Sequence, residues 1–572
     1  MVGANKKIVK KKPKLTPEQR KAKAAEQAFL RKIRTIFQKT GFARFNVDGK
    51  HFTFSGRSGE FDDVFVKDNV IVCAEYTLHS QSNMGDHVKN KAHIFNLIHS
   101  DLPGFISFLF KEFPEISNAV SKNYHADQLQ LRIIYCSPNE VNSEHVALTS
   151  QTNFMWQGTI EYFKSLADTI RLSARHELFE FLNLKFGEVG EGGVIPNEGD
   201  QTFKGTLLPE KHSNFDPGYK VVSFYVSPAA LLSRAYVLRK DGWKDVYGPY
   251  QRMIDRKKIE SIRRHLRSKK RVFVNNIIVT LPNDTRIDDA NGKPVDATKI
   301  PDTTPVIVRL PQNSNTIGIV DGQHRVYSYY EDLQDDPQIS KFRNLQNLLA
   351  TGVMYPEGLP EADRRKFEAG LFLEINSTQN SPAPGIIQAV SMITDPYLHD
   401  SIGKGVVSRL SQMSPLEGLI ERYFFDRHVL KTASVVSFGL RRLVRLDGNE
   451  SLIHVWGTPE RDAVKAKTND EALQEYVAFC ANQLAMFLSA AKANLPVDAW
   501  KIASKEGSGI LATVSLNGLI ILFRKVVKAE GLSDFEGYSK KLKSLNKFNF
   551  KGYHSSHYNR MANEMMATIY GK

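Results

Sequence analysis

Apolar and polar residues alternate over Ala43–Val47 and His51–Ser55, which predicts two short strands. Gly59-Glu60-Phe61-Asp62-Asp63-Val64-Phe65-Val66 is half-alternating, whereas Val70-Ile71-Val72-Cys73-Ala74-Glu75-Tyr76-Thr77 is almost continuously apolar and reads as an inner strand. Ahead of them, Thr16-Pro17-Glu18-Gln19 supplies an N-cap, a first-turn proline and an acidic residue, so a helix is predicted to about Lys39. Behind them, Asp86 to His99 is helical in pattern and carries Lys89 and Lys91. Further on, Arg271-Val272-Phe273-Val274-Asn275-Asn276-Ile277-Ile278-Val279 predicts a strand. Pro282 to Pro305 predicts a long loop, and Ile317–Val320 an apolar run that stops at Asp321-Gly322. From Pro384 the chain turns helical: Ile386, Ile387, Val390 and Ile393 form one stripe, Leu473 to Leu495 a second that Pro496 stops, and Thr513 to Val526 a third. No internal repeat occurs. The fold class expected is α/β (α+β).

At 572 residues the chain is too long for one core. Its 41% hydrophobic and 24% charged shares are those of a globular protein. No apolar stretch is long enough to span a bilayer, and the lysine-rich start has no apolar signal core, so no membrane partner and a cytoplasmic location are expected. Cys73, Cys136 and Cys480 are too scattered for disulfides or a CxxC metal site. The formal charge of +15 points to a polyanionic partner. It collects in three patches: an arm with Lys6, Lys7, Lys10, Lys11, Lys12 and Lys14; the Ser261–Arg271 stretch; and a C-terminal stretch that interleaves Lys540, Lys541, Lys543, Lys547 and Lys551 with Phe548, Phe550 and Tyr553. There is no GxxxxGK[ST] loop, no HExxH and no GxSxG, and His554 and His557 have no Cys or carboxylate cluster beside them.

Asp321-Gly322-Gln323-His324-Arg325 sits between the Ile317–Val320 run and the helix-like Val326–Tyr330. Glycine lets backbone approach a ligand, and free amides at a helix start attract an anion. The pentapeptide resembles the DGQHR domain, the family of the DndB proteins of DNA phosphorothioation clusters and the DpdB proteins of 7-deazaguanine DNA modification, related to the ParB/sulfiredoxin-like fold. Tyr250-Gln251-Arg252 upstream and Phe372-Leu373-Glu374-Ile375-Asn376-Ser377-Thr378-Gln379 downstream are similar to the family's opening and to its strand ending in N-x-x-Q. The resemblance implies a DGQHR domain over 221–391. In it Gly322, Gln323 and Arg325 hold phosphate, with Gln251 and Arg252 at the same site. Asp321 orients water or metal, His324 shuttles a proton near neutral pH, and Asn376 and Gln379 bind the same ligand from a strand. ATP or GTP would be the substrate.

Glu60, Asp62 and Asp63 at one strand's start and Glu75 at the next strand's end can converge on one sheet edge, where paired carboxylates bind Mg²⁺ or Mn²⁺. This order resembles the PD-(D/E)xK nucleases, which implies a restriction-endonuclease-like domain over 21–185. Asp62 and Glu75 would be metal ligands, and Glu60 and Asp63 outer or alternative ones. Thr77 stands where the family has lysine, and Lys89 or Lys91 could fill that role from the helix. A basic arm over 1–20 and a helical region over 392–572 complete the plan, with the acidic Gly187–Gly193 loop and Pro196–Pro217 separating the first two domains. The function expected is a nucleic-acid enzyme of a DNA-modification or defence cluster, with DNA and other proteins of the cluster as partners. Two alternatives stand beside it: a DndB-like DNA-binding regulator without catalysis, and an NTPase serving a separate modifying enzyme.

Overall fold

The computed structural model describes residues 16–190, 202–239, 243, 251, 253–379, 383–423, 425–503, 508–554 and 556–571. The lysines of the N-terminal arm, Tyr250, Arg252 and the 191–193 part of the acidic loop lie outside them. Among the described residues the chain is a mixed α/β protein with two mixed sheets followed by helices.

The first helix runs Pro17–Lys39, and its cap is reciprocal: Thr16 Oγ1 accepts from the Gln19 amide while Gln19 Oε1 accepts from the Thr16 amide. Residues 17–20, assigned to the arm by the sequence, are thus its first turn. Then come β1 (Ala43–Asn46), the ribbon β2 (Phe52–Phe54) and β3 (Arg57–Gly59), β4 (Asp63–Lys67), β5 (Val70–Tyr76), β6 (Gln130–Cys136) and β7 (Asn153–Met155). The first sheet has the order β1-β4-β5-β6-β7; β1, β4 and β5 are antiparallel neighbours, and β6 and β7 continue parallel to β5. Side chains alternate across a strand, so the sheet has two apolar faces. Phe65, Val70, Val72 and Ala74 meet Ile33 and Phe37 of the first helix on one side; Val64, Ile71 and Cys73 meet Val88 and Phe95 of the Met84–Ser100 helix on the other.

The second sheet is built from β8 (Thr202–Leu207), β9 (Lys220–Val226), β10 (Ala235–Tyr236), β11 (Ile277–Leu281), β12 (Arg286–Asp288), β13 (Thr304–Arg309), β14 (Ile317–Asp321) and β15 (Leu348–Met354), in the order β10-β14-β11-β15-β9-β8-β13-β12. Three expectations are corrected here. The sheet begins at Thr202, inside the stretch read as a linker, because β8 is paired on both sides, with β9 and β13. Arg271–Asn276 is not strand: a ladder needs a neighbour, and β15 starts at Leu348, opposite Asn275 if the register is continued, so Val274 is left 86% exposed. Phe372–Gln379 is not strand either but the end of a helix, Glu361–Gln379. Ala369 and Phe372, one helical turn apart, pack on Val320 with Ile375 behind them, and that 3.6-residue contact outweighs the alternating look of the short segment.

One hydrophobic core runs from Phe29 through Leu182 to Leu207 and Met354, so the two sheets are joined by packed side chains. At the seam lies Arg239, 2% exposed, whose NH1 donates to Glu177 Oε2 (2.9 Å) and Tyr162 Oη (3.3 Å). Its guanidinium sits 5.2 Å over the Tyr327 ring. A separate core from Tyr397 to Met565 holds the C-terminal helices, including Asp470–Ala493 and Thr513–Glu530. No helix among the described residues is long and apolar enough to cross a membrane.

Removing one partner of a buried ion pair strands the other charge, at about 3–5 kcal/mol. Arg239→Met and Glu177→Gln are therefore both expected to lower the urea midpoint, the second at least as much because it strands the fully buried guanidinium. A double variant no worse than Arg239→Met alone would establish the pairing, and additive losses would reject it.

Candidate functional site

Strand alternation separates the two neighbouring aspartates. Asp63 points to the first helix, is fully buried, and accepts from Arg34 Nε (2.7 Å), Arg44 Nε (2.7 Å) and the Tyr76 hydroxyl (3.1 Å). Two guanidiniums and a phenol consume it, so Asp63 is a structural anchor and not a spare metal ligand. Asp62 and Glu75 turn to the opposite face, toward the Met84–Ser100 helix. Asp62 Oδ2 accepts from the Tyr76 amide (2.7 Å), and Glu75 Oε1 takes the Lys91 ammonium at 2.7 Å.

Lys91 shares a helical stripe with Met84, Val88 and Phe95, all buried against the sheet. Lys89, two residues away and so on the far side of the helix, is exposed. Of the two lysines raised by the sequence, Lys91 reaches the carboxylates. Thr77 is buried, and its hydroxyl lies 2.5 Å from His79 Nδ1. Glu60 Oε2 sits 3.0 Å from His51 Nδ1, and its charge reaches Glu75 and adds to the rise of that carboxyl.

Burial raises Asp62 to about 6, with Asp48 adding to the rise and the Tyr76 amide opposing it. Burial raises Glu75 further, to about 7, against the pull of Lys91. Among the described residues no three His, Cys, Asp or Glu side chains are grouped to hold a metal. The two carboxylates nevertheless suit Mg²⁺, which is held by one or two carboxylates together with water and substrate phosphate. Asp62 also lines a cleft of about 320 Å³ together with Arg34, Arg44, Asn46, Asp48 and Gln27. Around Glu75 stand groups the sequence reading missed. His87 Nδ1 is 2.6 Å from the Tyr135 hydroxyl, and the His79 and His87 rings are 4.5 Å apart. Burial, with His79 and Lys91 nearby, lowers His87 to about 4, so it is neutral at pH 7. Its one sequence signal is the i, i+4 spacing to Lys91.

The Asp321–Arg325 corner is folded inward. Gly322, at φ +100°, turns β14 into a five-residue helix, Gln323–Tyr327. Gln323 is 7% exposed; its Nε2 donates to Gln251 Oε1 (3.2 Å), and its Oε1 accepts from Arg239 Nε (3.4 Å). Gln251 Nε2 in turn donates to the Ile319 and Val320 carbonyls. His324 Nε2 accepts from the Asp255 amide (3.1 Å), and burial followed by Lys258 lowers it to about 4. The expected proton shuttle near neutral pH does not fit a ring held neutral and already engaged. Arg325 NH2 donates to Asp321 Oδ2 (2.8 Å) and to the Asn276 carbonyl (2.7 Å), while Arg325 Nε and Asn276 Oδ1 are buried without partners. Asn276, unremarked in the sequence reading as a ligand, is therefore the residue that shares this corner. Asn376 Nδ2 donates to Phe372 O in its own helix (2.8 Å). Gln379 ends that helix, and its side chain lies outside the described residues.

The basic patches survive in part. Arg263 is buried, donating to the Ser328 and Tyr330 carbonyls, and Arg267 pairs with Asp336 at 2.9 Å, but Arg264, Lys269, Lys270 and Arg271 are exposed. In the C-terminal patch Phe548 packs on Tyr553 (5.9 Å) and Phe550 (5.0 Å) rather than standing free, and Lys541 pairs with Glu530. Compared with protein-family models, curated proteins and solved structures, the chain matches none.

Because Asp62 and Glu75 bind protons more tightly folded than unfolded, the native state holds extra protons between about pH 4 and 7, and stability from these groups falls as pH rises through that window. In chelator, the Tm difference between Glu75→Gln and wild type should shift in favour of the variant from about pH 5 to pH 8, by on the order of 2 kcal/mol. A difference independent of pH would contradict the assignment.

Proposed function

We propose that the chain hydrolyses nucleic-acid phosphodiesters, DNA foremost, at a centre formed by Asp62, Glu75 and Lys91. We further infer that it belongs with the DGQHR-domain proteins of DNA modification or defence, acting beside other proteins of such a cluster. The observation that carries the proposal is the convergence of half-buried Asp62, buried Glu75 and Lys91, beside a cleft that Asp62, Arg34 and Arg44 line. The order of helix, antiparallel three-strand meander, helix and parallel strand supports a PD-(D/E)xK-like reading of residues 17–136.

Asp62 and Glu75 would hold Mg²⁺ or Mn²⁺, which supplies Lewis acidity at phosphate and a more acidic bound water. The chain's own residues do the rest. Lys91 keeps its ammonium at Glu75 until a phosphate arrives and then stabilises the charge that grows on the phosphate oxygens. It thereby takes the part that Thr77 leaves open. Arg34 and Arg44, fixed by Asp63, present a rigid positive wall along the cleft for the backbone of the strand. The Asp321–Arg325 corner, with Asn276, is an anion-holding element in this reading.

Plasmid DNA incubated with Mg²⁺ or Mn²⁺ should be nicked or cut by wild type. Glu75→Gln and Lys91→Met should slow this by about 10²-fold or more, and Lys89→Met should leave it near the wild-type rate. Undiminished cleavage by Glu75→Gln would sink the nuclease reading.

A further inference from the structure

The second sheet is covered on one half of one face and open on the other. Phe367 and Leu371 of the Glu361–Gln379 helix pack at Val353 and Tyr355. Beside them Glu368, 2% exposed, accepts from Tyr236 Oη (2.5 Å), Thr280 Oγ1 (2.6 Å) and the Tyr355 hydroxyl. Toward the other end of the same strands the side chains stay in water. Tyr225 of β9 stands opposite Leu349 of β15, and the β8–β9 register, continued by one residue, sets Lys204 on its other flank; Lys204 stands opposite Ile307 of β13. In the next row Ser223 lies between Thr351 and Thr206, its hydroxyl 3.4 Å from that of Thr351. Thr351 pairs with Ile278, which packs against the cluster of Val320, Phe372 and Ile386, so the open part of this row stops at Thr351. Directly opposed residues share a face, and strands are about 4.8 Å apart, so the open rows from β15 to β13 form a strip roughly 15 Å long.

The chemistry of this strip selects its occupant. Tyr225 is 61% exposed, and Lys204, Thr206 and Ser223 are exposed around it. Lys204 has no carboxylate partner among the described residues. Lys269, Lys270 and Arg271 stand exposed just before Asn276, whose amide donates to Thr351 Oγ1 at 2.9 Å. A protein interface of this size would carry an apolar centre depleted of serine and lysine. A bare aromatic ring with a cation on one flank and hydroxyls in the next row is instead suited to an unpaired nucleic-acid strand, with a base on the ring and phosphate on the cation. We propose that the open half of the second sheet binds single-stranded nucleic acid, with one base stacked on Tyr225 and the backbone held by Lys204. This deepens the reading of the chain as a nucleic-acid enzyme and rests on it, but it concerns a surface apart from the Asp62 and Glu75 carboxylates.

The test is fluorescence anisotropy of full-length protein with a labelled single-stranded DNA of about 20 nucleotides, the matching RNA and the DNA duplex, in chelator so that nothing is cut. Tyr225→Ala should weaken single-strand binding about 5- to 100-fold, Tyr225→Phe should stay within about twofold, and Lys204→Glu should weaken binding and flatten its salt dependence. Since Tyr225 is exposed, an unchanged Tm for each variant shows that folding is intact. The preferred single strand, DNA or RNA, names the substrate. Single-strand binding indifferent to Tyr225→Ala, equal loss with Tyr225→Phe, or no binding by wild type would overturn the proposal. Tyr225-dependent binding without any metal-dependent cleavage would reject the nuclease reading and leave this one standing; cleavage lost only in Glu75→Gln, with binding indifferent to Tyr225, would do the reverse.

Discussion

A guanidinium with no access to water must meet acceptors and counter-charge on every side, and Arg239 imposes that condition at the junction of the two sheets. It is met by Glu177 and Tyr162 from helices of the first sheet's layer, by Gln323 from the turn after β14, and by the Tyr327 ring, while Arg239 Nη2 is buried without a hydrogen-bond partner. Gln323 is then committed to Gln251, which is committed to the β14 carbonyls. The inward orientation of the Asp321–Arg325 corner follows from this chain of hydrogen bonds. So does the continuity of the core from Phe29 to Met354, because the helices bearing Tyr162 and Glu177 cannot separate from the second sheet without exposing that charge to a broken cage.

The first sheet applies the same rule to carboxylates and reaches two results from adjacent residues. Asp63 meets two arginines and a phenol and is fixed inside the fold. Asp62 and Glu75 meet one amide and one lysine, too little to offset burial, and so both carry raised pKa values. Unmet charge of this kind is costly to the fold and is where chemistry gathers. The second sheet shows the contrast again: Glu368 is surrounded by three hydroxyl donors under a helix, while Tyr225 and Lys204 on the same face are left to solvent.

The helix at Pro17–Lys39, the strands around Ala43–Asn46 and Val70–Tyr76, and the helices stopped at Pro496 and running from Thr513 were legible because their signals are local: a cap, a period, a proline. Phe372–Gln379 and Arg271–Asn276 were not, because short apolar runs fit either period and a strand exists only where a neighbour supplies its hydrogen bonds. The proline-rich stretch before Tyr219 hid β8 for the same reason, its pairing partners lying in β9 and β13.

By itself the sequence determined the composition of the candidate centre: an acidic group before β4, a glutamate at the end of β5, and two helical lysines within reach. It determined also that Asp321-Gly322 ends a strand. Only the tertiary structure decided that Lys91 and not Lys89 faces Glu75, that Asp63 is spent on Arg34 and Arg44, and that Gln323 turns to Gln251 and His324 to the Asp255 amide. Spacing along a chain sets which side of its own element a residue occupies. Which charges it meets there depends on elements far away in sequence, and burial, ion pairing and pKa depend on those charges.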